Sequence, residues 1–93
     1  MIWQIDWDDR ARKELRSLDR QVQKRILNYL RERITKNPMN FGKELLGDKA
    51  GLRSYRVDSY RIICQIQDQK LKIFVVAVGH RKDIYDWKLS HPK

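Results

Sequence analysis

Two short stretches of the chain concentrate side chains able to handle a phosphate. Arg53, Tyr55, Arg56, Tyr60 and Arg61 stand within nine residues, and His80, Arg81, Lys82 and Tyr85 within six. An arginine guanidinium matches phosphate oxygens two at a time and stabilises added negative charge. A tyrosine can stack on a displaced base or help to move a proton. RNA backbone cleavage is a reaction that needs only such groups. A 2′-hydroxyl attacks the neighbouring phosphorus, and the protein accepts one proton, donates another and stabilises the charged phosphorane. The proton acceptor is the demanding part, because arginine, with a pKa above about 12, keeps its proton at neutral pH. His80, with an ordinary value of about 6.5, is one candidate. Tyr55, Tyr60 and Tyr85 are others if neighbouring arginines acidify a phenol. A plainer use of the arginines is pairing with carboxylates, for which Asp58, Asp83 and Asp86 are near in sequence.

Other chemistries find no support. His80 and His91 are eleven residues apart, with no cysteine pair and no carboxylate cluster at ligand spacing, so no metal site is expected. No Ser-His-Asp arrangement, phosphate-binding loop or dinucleotide fingerprint is present, and no cofactor is expected.

The chain has 93 residues, 41% of them apolar and 35% charged, and a formal charge of +9. That apolar share is too high for a disordered polycation and suits one domain over residues 1–93. A chain of this size buries about 60–68% of its unfolded surface, enough for one core. The single Cys64 cannot form an internal disulfide, no apolar stretch is long enough to span a membrane, and the N-terminus is acidic. A cytoplasmic protein is expected. Its charge is uneven: residues 50–82 carry seven basic and two acidic side chains, whereas residues 83–93 balance. An excess of this kind points to phosphates or to an acidic partner.

The elements that must position these residues follow from period and punctuation. Ile2–Trp7 is rich in β-formers and reads as a first strand. Asp8 or Asp9 caps a helix carrying Ala11, Leu15 and Leu18, and Asp19 caps a second helix to about Lys36, making a helical hairpin. Asn37-Pro38 ends the second helix. Residues 39–51 hold three of the four glycines and read as a loop, with one turn at Lys43–Leu46. A β-meander follows: Leu52–Val57, a two-residue turn at Asp58-Ser59, Tyr60–Gln67, a second turn at Asp68-Gln69, and Lys70–Val78. Gly79 is expected to end that strand, and His80–Trp87 to form a short final turn or helix. The predicted class is α+β: an N-terminal strand, a helical hairpin, an antiparallel β-meander and a short C-terminal helix.

These turns predict a register. Val57 should face Tyr60, placing Arg56 opposite Arg61. Gln67 should face Lys70, placing Ile63 opposite Phe74 and Arg61 opposite Val76. One face then carries Tyr60, Ile62, Cys64 and Ile66 with Leu71, Ile73, Val75 and Ala77, to be covered by the helices. The other carries Arg56, Arg61, Ile63, Gln65, Phe74 and Val76. Two arginines directly opposed repel, and a bound phosphate would turn that repulsion into attraction.

The strings Tyr55-Arg56-Val57-Asp58-Ser59-Tyr60-Arg61-Ile62-Ile63 and Val78-Gly79-His80-Arg81-Lys82-Asp83-Ile84-Tyr85 resemble the RelE family of bacterial toxins, within the RelE/ParE superfamily. They follow a strand, a helical hairpin and a Leu45-Leu46-Gly47 approach in the expected order, so the resemblance covers nearly the whole chain. It implies two N-terminal helices packed on an antiparallel sheet. It also implies a toxin that binds the ribosomal A site on the 30S subunit, cuts mRNA there and so inhibits translation, held in check by a cognate acidic antitoxin. On the matching positions it implies catalytic roles for Arg61, Arg81 and Tyr85, and RNA contacts from Arg53, Tyr55, Arg56, His80 and Lys82. Arg53 and Tyr55 fall near two positions that are lysine in the best-studied member. Two alternatives share the fold: a ParE-type inhibitor of DNA gyrase without nuclease activity, and a non-catalytic member that binds RNA or its antitoxin.

Overall fold

The computed structural model describes residues 2–45 and 51–80. The Asp8 carboxylate accepts a hydrogen bond from the Arg10 amide at 3.1 Å, and that of Asp19 accepts one from Gln21 at 3.2 Å. These caps satisfy amides that a helix start leaves unpaired. They begin α1 (Asp9–Arg16) and α2 (Arg20–Tyr29) where the sequence marks them. Beyond Tyr29 the helix continues as one π-turn, Leu30–Ile34, in which the Thr35 amide donates to the Leu30 carbonyl at 2.9 Å. The buried Val22, Ile26, Leu30 and Ile34 are spaced by four. On a helix of 3.6 residues per turn that stripe drifts by about 40° per step. The wider last turn offsets the drift and keeps Ile34 over the sheet.

Five strands form one sheet in the order β1-β5-β4-β3-β2: β1 (Gln4–Trp7), β2 (Lys43–Glu44), β3 (Leu52–Val57), β4 (Tyr60–Gln67) and β5 (Lys72–His80). The sheet is mixed, because β1 runs parallel to β5, pairing Gln4 with Lys72 through Trp7 with Val75. Where the expected turn would begin, Lys43–Glu44 instead form β2, which pairs antiparallel with β3; Leu46 lies outside the described residues. The Leu45 amide extends that pairing by donating to the Leu52 carbonyl at 2.9 Å. A two-residue strand at an edge carries too little pattern to be read locally.

The first hairpin has the predicted register, Val57 opposite Tyr60 and Arg56 opposite Arg61, with Asp58 in the left-handed region at φ 55. The second does not. Asp68–Lys70 form a 3-10 turn closed by Leu71 at φ 52, so the connection is longer than two residues and Gln67 pairs with Lys72. A bulge then adds one residue to β5. Cys64 faces Val75 while Ile63 faces Ala77, leaving Val76 as the extra residue. Arg61 therefore faces Gly79, and the expected partners Phe74 for Ile63 and Val76 for Arg61 are both displaced. Gly79 lies inside β5 rather than ending it.

The main core joins Ala11, Leu15, Val22, Ile26, Leu30 and Ile34 of the helices to Tyr55, Ile62, Cys64, Ile73, Val75 and Val78 of the sheet. After the bulge Val78, not Ala77, points at the helices. Ala77 and Ile63 form a second small cluster on the reverse face with Leu45, Leu52 and Val76. Of the expected final turn or helix over His80–Trp87, His80 is instead the last residue of β5, and the rest lies outside the described residues.

Gly42 fixes the approach of β2 to β3. Its φ is +69, and an added Cβ would lie 2.5 Å from the Ser54 carbonyl oxygen and 2.6 Å from the Tyr55 ring. Gly51, at φ +88, has open space instead. Gly51→Ala should cost about 1–2 kcal/mol, the left-handed penalty alone. Gly42→Ala should cost clearly more, because backbone must also move. Urea midpoints of the two variants check this; equal losses would contradict it.

Candidate functional site

Arg56 and Arg61 occupy directly opposed positions on β3 and β4, on the sheet face away from the helices. Arg56 is exposed and Arg61 half-buried. Like charges so placed weaken a sheet by roughly 0.2–1 kcal/mol. Asp58, one of the carboxylates expected nearby, does not relieve them. Its Oδ2 pairs with Arg25 Nε of α2 at 3.0 Å, and Arg56 Nε takes only the Asp58 backbone carbonyl, at 3.1 Å. Among the described residues no carboxylate lies within ion-pairing distance of Arg56 or Arg61. Asp83 and Asp86 lie outside them. Across from Arg61 stands Gly79, which has no side chain to compete for the space.

Three sequence-predicted residues are elsewhere. Arg53 points to the helix-facing side and is bound by the 39–42 loop. Its Nη2 donates to the Phe41 carbonyl at 2.7 Å and the Gly42 carbonyl at 3.2 Å, with Nε also directed at Phe41. The expected RNA contact is thus a clamp that holds β2 against the sheet. Tyr55 is fully buried in the main core, and its hydroxyl donates to the Pro38 carbonyl at 2.8 Å. Burial raises its pKa, the nearby Arg53 opposing this only in part. Tyr55 is therefore neither an RNA contact nor an acidified base. His80 faces Tyr60, their rings edge to face with centroids 5.6 Å apart. Tyr60 packs on the helical core, so His80 and Arg61 occupy opposite faces of the sheet. The bulge at Val76 is the cause. Arg81, Lys82 and Tyr85 lie outside the described residues.

Two participants were not legible in the sequence. Arg25 is one of many basic residues on the helices, and only the fold brings it across to Asp58. Gly79 reads as a strand terminator, yet it marks the space beside Arg61. The one available signal was the pairing itself, which depended on an unread bulge.

A family model described as the ParE toxin of the type II toxin–antitoxin system matches residues 5–85. The chain belongs to the RelE/ParE toxin family. The mRNA interferase toxin RelE of Escherichia coli is 34% identical over 86 residues, covering 88% of this chain and 86% of that protein. Toxin RelG of Mycobacterium tuberculosis is 27% identical over 85 residues, 91% of this chain and 98% of that one. Among solved structures, a double arginine-to-alanine mutant of E. coli RelE in the free state superposes with a TM-score of 0.79 at 27% identity, covering 98% of each chain. A RelBE toxin–antitoxin complex from M. tuberculosis gives 0.81 at 23% identity, covering 87% of this chain and 93% of that one, a likeness of fold. The protein is a RelE-like toxin of the type II class, with two helices on a five-stranded mixed sheet. No helix among its described residues is long and apolar enough to cross a membrane.

In this RelE-like fold Tyr55 and Cys64 lie in one core, and burial raises the pKa of both. Each stays protonated in the folded chain at a pH where its unfolded counterpart ionises. Stability is therefore full below about pH 8.5 for the thiol and about pH 10 for the phenol, and falls as pH rises above those values. Tyr55→Phe should lose about 1 kcal/mol at neutral pH with its hydrogen bond. It should also flatten the decline above about pH 10. Urea midpoints from neutral to strongly alkaline pH measure both effects; an unchanged alkaline slope would contradict the second.

Proposed function

We propose that this toxin is a ribosome-dependent mRNA endonuclease. The observation that carries the reading is the opposed Arg56–Arg61 pair, left without a carboxylate partner among the described residues. Such a pair is electrostatically incomplete and suited to a phosphate. The mRNA interferase name of the E. coli relative supports the same reaction. Arg61 and Arg81 would hold the scissile phosphate and stabilise the phosphorane, Arg56 and Lys82 would position the backbone, and Tyr85 would stack on a base. The 2′-oxygen attacks phosphorus and the 5′-oxygen leaves, so the products carry a 2′,3′-cyclic phosphate and a 5′-hydroxyl. Arg53 is left out of this reading because its Nε and Nη2 donate to carbonyls of the 39–42 loop.

The expected partner is an acidic antitoxin; the E. coli RelBE toxin–antitoxin complex, 28% identical, supports an antitoxin as the partner. With a charge of +9 on the toxin, the association rate should fall steeply as salt rises. A salt-independent on-rate in stopped-flow mixing would count against an electrostatically steered antitoxin. A second reading, a gyrase inhibitor without nuclease activity, is favoured by the ParE description of the matching family model. A supercoiling assay with DNA gyrase separates the two.

Primer extension on translated mRNA, with and without ribosomes, tests the main reading. Wild type should cleave only when ribosomes are present. Arg61→Ala and Arg81→Ala should each lose about 10²–10³-fold in rate, the effect of removing one preorganised donor. Cleavage at wild-type rate by either variant would remove that arginine from the site.

A further inference from the structure

The edge of β5 changes partner part-way along its length. As far as Val75 it is covered by β1, and the last backbone bond on that side runs from the Asp8 amide to the Val75 carbonyl at 2.9 Å. Past the bulge at Val76, β1 has ended and α1 lies alongside. There the Val78 amide donates to Oε1 of Glu14, at 3.0 Å. Glu14 is half-buried one position before Leu15, and Ala11 and Leu15 seat α1 in the core against β5 residues Val75 and Val78. A carboxylate thus substitutes for the missing strand.

The residues it steadies matter for the arginine site. Val78 is followed by Gly79, which faces Arg61, then by His80, and in sequence by Arg81. Gly79 has no side chain to lock its conformation, and the end of a strand is where a sheet opens first. On one side β5 is held here by β4. On the other, among the described residues, the side-chain bond to this stretch of backbone is that of Glu14.

We propose that Glu14 is a positioning residue. It fixes the backbone of Val78 and thereby keeps the end of β5, from which Arg81 follows, in register with Arg61. The role rests on the reading of these arginines as the phosphate site. It needs an acceptor atom rather than a charge, so glutamine should fill it and alanine should not. Small displacements of catalytic groups are enough to slow a reaction by about 10²-fold.

The test compares wild type, Glu14→Ala and Glu14→Gln in the full chain. Amide hydrogen exchange is read by NMR, and single-turnover cleavage is measured on ribosome-bound mRNA. In Glu14→Ala, exchange at Val78 and Gly79 should accelerate at least about tenfold, whereas the core amides of Ile62 and Ile73 follow only the change in global stability. The saturating cleavage rate should fall about 10–100-fold with little change in KM. Glu14→Gln should restore both. The proposal is overturned if Glu14→Ala leaves exchange at Val78 unchanged, if the glutamine variant is as slow as alanine, or if the loss lies in KM alone. If wild type itself cleaves no mRNA, the nuclease reading fails, and the exchange data alone decide whether Glu14 holds the strand end.

Discussion

Between Ile63 and Cys64 the β4–β5 ladder meets an extra residue, Val76, and every β5 side chain beyond it takes the face opposite to the one a regular pleat would give. Val78 turns towards the helices and completes the main core, while Ala77 turns away and joins Ile63 in the smaller cluster. Gly79 comes to lie across from Arg61, and His80 comes to lie against Tyr60 on the other side. The same break shifts the amide of Val78 to the edge that α1 covers, where Glu14 accepts it. Core composition, the space beside the arginine and the docking of the first helix all hang on that one insertion.

The basic excess of the chain is distributed by partners rather than by sequence. Arg53 is occupied by backbone carbonyls and acts as a clamp on β2. Arg25 takes the Asp58 carboxylate from the helix side, and Lys72 pairs with Asp6 at 3.5 Å where β1 joins β5. Exposed ion pairs of this kind contribute little to stability, typically about 0–1 kcal/mol. Their consequence here is electrostatic. Once Asp58 is engaged by Arg25, Arg56 and Arg61 remain as adjacent positive charges on the face away from the helices. Among the described residues, no carboxylate offsets that repulsion.

Neighbouring arginines on the strands therefore carry different meanings. Arg53 and Arg56 are three residues apart on β3, so the pleat sends them to opposite faces. One closes a loop, and the other stands beside Arg61. Tyr55, between them, has its phenol in the core with its hydroxyl on the Pro38 carbonyl, which is why a tyrosine can be buried there at all. The string Tyr55-Arg56-Val57-Asp58-Ser59-Tyr60-Arg61 thus contains a core residue, a hairpin turn and a charge pair.

The helix starts at Asp8 and Asp19 and the first hairpin, with Arg56 facing Arg61, were legible from the residues alone. Each rests on contacts between residues close in the chain: a cap bonds two residues ahead, and a two-residue turn leaves one pairing. Tertiary structure alone decided the parallel placement of β1 on β5, the short β2, the longer turn at Asp68–Leu71 and the bulge at Val76. Through that bulge it also decided that His80 stands on the face opposite to the Arg56–Arg61 pair. Those outcomes depend on which distant segment covers a strand edge or a face. Strand pattern has a period of two, so a single unseen insertion reverses every inference drawn beyond it.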